Sequence, residues 1–147
     1  MKKLLLFLAV ILTTSLFAQR SDNEGRIITY YMETQSMVWS EYQQKNIYTV
    51  TSERSRHNCT WTFNLNNDGS GQVNMEDLET GDKYLLIIYD WKVDMVGERD
   101  GIVGQFIQKI DGTKGTIIIQ NNEYGEHMVS VFMPETELHL TFDNMRF

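Results

Sequence analysis

The stretch CTWTFNLNNDGSGQVNM, Cys59 to Met75, decides the fold. Cys59, Trp61, Phe63 and Leu65 alternate with Thr60, Thr62 and Asn64. A period of two is that of a strand with one covered face. Val73 and Met75 resume the apolar odd positions beyond the loop. Between the two runs stand Asn66, Asn67, Asp68 and Gly69, residue types that tolerate left-handed backbone in tight connections. A calcium loop is the competing reading, with Asn64, Asn66, Asp68 and Gly69 at ligand spacing. Met75 then falls where a bidentate Glu is required, and Glu76 comes one residue late. The flanks are strands rather than helices. The stretch therefore reads as strand, polar turn, strand, and neighbours joined this way are antiparallel.

Outward from this hairpin, β-type runs and turn signals alternate along the chain. Ile27 to Thr34 reads as a strand, although Ile28, Tyr31, Met32, Trp39 and Tyr42 also fit a helical face. Asn46 to Arg54 and Asn58 to Asn66 read as two further strands. Lys83 to Met95 is a long run with Leu85, Ile87, Tyr89, Trp91, Val93 and Met95 on one side. Asp100-Gly101 is expected to turn the chain into Ile102 to Ile110, and Asp111 to Gly115 turns it into Thr116 to Gln120. His127 to Met133 and Glu137 to Asp143 close the series, with Pro134 outside both. The expectation is an all-β antiparallel meander of about eight to ten strands. It forms either a small barrel or a two-sheet β-sandwich.

The first residues, MKKLLLFLAVILTTSLFAQ, have the layout of a secretory signal peptide. Lys2 and Lys3 precede an apolar run from Leu4 to Leu12, too short to span a bilayer, which takes about 20 residues. Cleavage after Ala18 is expected. It leaves residues 19–147 as a single domain, periplasmic or secreted, with no transmembrane anchor. The whole sequence carries 13 Lys and Arg against 20 Asp and Glu. Removing the two leader lysines leaves 11 against 20, a net charge of −9. Such an acidic surface argues against nucleic acid, whose affinity comes mainly from neutralised phosphates. The lone cysteine, Cys59, has no partner for an internal disulfide and shares the apolar face of its strand.

No catalytic motif is present. There is no nucleophile elbow, no phosphate-binding glycine pattern and no HExxH spacing. A metal site would need His127 and His139 to pair across neighbouring strands, and a solvated hairpin face accounts for both. No catalytic residue, metal ligand or cofactor is assigned, and the reading leans away from an enzyme. The aromatics carry more information: seven Tyr, seven Phe and three Trp. Trp61 and Trp91 are expected to point inward, and Trp39 lies near Tyr42. They can build a core, or line a cavity for a small apolar or sugar-like ligand.

The MKKLLL start and the Phe17-Ala18-Gln19 junction are similar to those of proteins exported by Bacteroidota. Trp39 ahead of the Asn46 to Arg54 strand, and Trp61-Thr62-Phe63 running into an Asn/Asp/Gly turn, resemble the small β-rich exported proteins of that group. Most of those have no known function. The architecture looks like that of lipocalin-like barrels. The aromatics lead to the expectation of a binding module for a small apolar or amphiphilic ligand, with Trp61, Tyr89, Trp91, Trp39 and Tyr42 as candidate contacts. The alternatives are a protein-interaction or envelope accessory domain, using a sheet edge or the Trp39-Tyr42 patch, and a hydrolase or isomerase on a barrel scaffold.

Overall fold

The computed structural model describes residues 24–121 and 125–144. The leader expected over residues 1–18 lies outside them. The strands are β1 (Glu24–Ser40), β2 (Lys45–Leu65), β3 (Gly71–Asp77), β4 (Lys83–Val96), β5 (Arg99–Gln108), β6 (Lys114–Asn121), β7 (His127–Met133) and β8 (Leu138–Asp143). One short 3-10 turn, Pro134–Thr136, links the last two. Every strand pairs antiparallel with its neighbour in sequence, and β8 returns to β1, closing a barrel. The all-β meander expected from the sequence is the fold. Among the described residues no helix is long and apolar enough to cross a membrane.

The opening hairpin has the predicted register. Trp61 faces Met75 and Phe63 faces Val73 across β2 and β3. The loop is a self-satisfied turn. Asp68 Oδ1 accepts from the Ser70 N–H at 2.9 Å and from the Ser70 hydroxyl at 2.6 Å, and Gly69 takes a φ of 90°. These bonds hold the Asp68 carboxyl below the usual carboxylate range, the Ser70 hydroxyl contributing most. Its oxygen is spent on the turn.

Three sequence expectations change. The two runs Asn46 to Arg54 and Asn58 to Asn66 are one continuous strand. The chain turns at Gly97 and Glu98, ahead of Asp100, which already pairs with Met95. Gly97 supplies the positive φ, 66°, that such a short turn needs. The single apolar side expected along β4 is split by a bulge between Ile88 and Asp90. Leu86 and Ile88 face inward before it, whereas Trp91 faces inward after it, opposite Gly104. One extra residue reverses the parity of everything downstream.

Eight strands enclose just enough room for side chains or for one small ligand. Here the interior does both. Leu65, Val73, Ile88, Ile117 and Val129 are buried and fill the waist. Two glycines admit aromatic rings into the wall: a Cβ on Gly25 would lie 2.3 Å from the Phe63 ring, and one on Gly115 would lie 2.6 Å from the Phe106 ring. Toward each end the packing opens.

β1 and β2 outrun the barrel and form a two-stranded arm ending at residues 41–44. The register between them slips three times, each time with the extra residue on β2. A longer outer strand bends the ribbon. Tyr48 consequently meets Phe132 of β7 edge-on, ring centroids 5.3 Å apart, and His139 of β8 at 6.3 Å. The arm is thereby tied back onto the outer face of β7 and β8. At its base Arg54 pairs with Asp143 and lies 4.4 Å above the Tyr31 ring.

Candidate functional site

A cavity of about 340 Å3 opens at the end of the barrel formed by the β3–β4, β5–β6 and β7–β8 turns. Trp61, Phe106 and Phe142 line its inner part, each nearly inaccessible to solvent. Trp61 and Phe142 pack edge to face at 4.8 Å. The indole N–H of Trp61 donates to the buried Thr29 hydroxyl at 3.0 Å, which fixes the ring and consumes its only donor. Met32, Met75, Met133 and Leu140 form the walls. Methionine side chains are flexible and polarisable, and adapt to apolar guests of varied shape.

The polar groups are few and lie on four consecutive strands: His57 on β2, Asp77 on β3, Tyr84 on β4 and Gln108 on β5. His57 Nε2 is 2.9 Å from Asp77 Oδ2. The other carboxylate oxygen, Oδ1, accepts from the Glu79 N–H at 2.9 Å and the Thr80 N–H at 3.2 Å. Burial pushes the Asp77 carboxyl up, but those N–H groups, His57 and Thr80 outweigh burial and hold it below its ordinary value. Asp77 is therefore a fixed anion, and it orients the imidazole.

Cys59 lies below this pair, with no exposed surface. Burial, then the charges of Asp77 and Glu79, push its thiol up to about 12. A neutral, enclosed thiol is a packing group and a poor nucleophile.

Of the five residues proposed from the sequence, Trp61 lines this cavity. Trp91 points inward at the opposite end of the barrel, where its indole N–H donates to the Asn66 carbonyl at 2.7 Å and ties down the β2–β3 loop. Tyr89 is the bulged residue, 54 % exposed on the outside. Trp39 and Tyr42 sit on the arm, 51 % and 96 % exposed. The opposite end holds a shallower depression of about 380 Å3, lined in part by Phe63, Val93, Ile102 and His127.

His127 bonds Asn121 Oδ1 at that far end, while His139 packs under Tyr48 near the arm. The two histidines do not meet, and among the described residues no three His, Cys, Asp or Glu side chains are arranged to hold a metal ion.

His57, Asp77, Tyr84 and Gln108 were not singled out from the sequence as site residues. Two of them carried a signal. His57 continues the inward parity of Cys59 and Trp61, and Asp77 continues that of Val73 and Met75. A polar residue on the apolar face near a strand end marks the rim of a barrel. No protein-family model, curated protein or solved structure matches this chain.

Proposed function

We propose that this protein is a binding module that holds one small apolar or amphiphilic molecule in the cavity above Trp61. The observation that carries this reading is a cavity, open at one end of the barrel, with aromatic and methionine walls and a few polar groups gathered at one rim. Its volume falls in the range of small-molecule pockets, about 300–1,000 Å3. Export through the leader at residues 1–18 belongs to the same proposal. Recovery of a mature chain beginning at Gln19 tests that part.

The binding reading is tested with N-phenyl-1-naphthylamine, a neutral probe whose emission rises in apolar surroundings. Saturable one-to-one binding is expected, with a change in tryptophan emission. Val131→Phe, which fills the space from β7, weakens it. Absence of saturable binding by this probe and by a panel of alkanes, alcohols and sterol-like amphiphiles sinks the proposal.

Acid–base chemistry is a second reading, favoured by the His57–Asp77 pair alone. Asp77 fixes Nε2–H, leaving Nδ1 as the base. Turnover of an apolar ester or ketone that disappears in His57→Gln, while probe binding persists, distinguishes it from binding alone.

A further inference from the structure

The Tyr84 hydroxyl and the Gln108 carboxamide make no hydrogen bond to another described residue, and His57 bonds only through Nε2. All three line the same rim of the cavity. In the open cavity these groups face solvent, and a bound molecule that expels it must supply partners in its place. Resting on the cavity reading, we infer that the ligand is an uncharged amphiphile, whose hydroxyl- or carbonyl-type head is held by His57, Tyr84 and Gln108 and whose tail reaches Trp61.

Charge decides against the alternatives. An anionic head at this rim would face the Asp77 carboxylate, with Glu79 close by. The field of those two acids already reaches inside the barrel, where both raise the thiol of Cys59. A cationic head gains little in return. Asp77 Oδ2 is taken by His57 and Oδ1 by two backbone N–H groups, and the carboxylate is itself buried. Moving an ammonium beside it costs desolvation, and the exposed Glu79, screened by solvent, offsets little of that cost. A hydroxyl or carbonyl head meets neither cost. It can accept from Tyr84 and Gln108 and, as a hydroxyl, donate to the second ring nitrogen of His57.

The test is displacement of N-phenyl-1-naphthylamine from the full chain by 1-decanol, decanoate and decylammonium. At about pH 8 the latter two are fully charged. Decanol is expected to displace the probe at about a tenfold lower concentration than either ion, or lower still. The isosteric pair Tyr84→Phe with Gln108→Leu should weaken decanol about fivefold to tenfold relative to the probe. Circular dichroism and the thermal midpoint of that variant report whether the barrel is intact. Asp77→Asn should narrow the gap between decanol and decanoate. Decanoate or decylammonium binding as tightly as decanol, or decanol indifferent to the double substitution, overturns the inference and leaves the cavity reading standing. If neither the probe nor any of the three chains binds, both readings fall together.

Discussion

His57 Nε2 stands 2.9 Å from Asp77 Oδ2, at the polar rim of a cavity whose depth is aromatic. The carboxylate is held by two N–H groups of the chain that follows it, so the β3–β4 turn and the imidazole share one anchor. Because the folded pKa of Asp77 lies below its ordinary value of about 3.9, its contribution to stability is present above that pH. It is lost as pH falls through the folded pKa. Asp77→Asn is expected to lower the urea midpoint at about pH 7, with the gap to wild type closing toward about pH 2. Equal gaps at both pH values would show that the carboxylate charge contributes nothing.

The Tyr48, Phe132 and His139 cluster should make the arm respond to pH. Burial lowers the His139 pKa, with Glu33 opposing in part. A histidine lowered in the folded state stabilises above its unfolded value of about 6.5, and that stability fades as pH falls through the folded pKa. Amide exchange in residues 45–50 is expected to speed up relative to the barrel between about pH 7 and pH 5. In His139→Phe that differential change should vanish. Persistence of the change in the variant would assign it to another group.

Two glycine–phenylalanine pairs, superficially alike, should respond differently to a methyl group. Around Gly25 the crowding atoms all belong to the Phe63 ring, whereas at Gly115 the backbone carbonyl of Phe132 lies 2.4 Å from an added Cβ. Gly25→Ala is expected to cost about 1–3 kcal/mol and to be largely relieved by adding Phe63→Leu. Gly115→Ala should resist relief by Phe106→Leu, because the carbonyl cannot move without the ladder. Thermal midpoints of the four single variants and the two doubles, read as double-mutant cycles, decide it.

Cys59 is the lone thiol of the sequence and is fully enclosed, with its pKa pushed up to about 12. Native protein at neutral pH should leave a disulfide reagent such as 5,5′-dithiobis(2-nitrobenzoate) unreacted over hours. Reaction should keep pace with unfolding when urea is added. Prompt stoichiometric labelling of folded protein would contradict the packing seen around β2 and β3.

The sequence by itself determined the all-β class, most strand positions and the register of the β2–β3 hairpin. Those follow from local causes: alternation of Cys59, Trp61, Phe63 and Leu65, and turn chemistry at Asp68 and Gly69. Trp61 was legible as a site residue for the same reason, since parity placed it inward. The bulge at Tyr89 was not legible, because both parities of β4 are apolar there and nothing local chooses between them. Nor was the arm, whose bend comes from register slips between strands that only pairing defines. The candidate site belongs wholly to the tertiary level. His57, Asp77, Tyr84 and Gln108 span about fifty residues of chain, and only closure of the barrel gathers them at one rim. What only the tertiary structure decided was where the apolar interior runs out. Side chains suffice to fill the waist of an eight-stranded ring, and toward the mouth they leave a space the size of a small molecule.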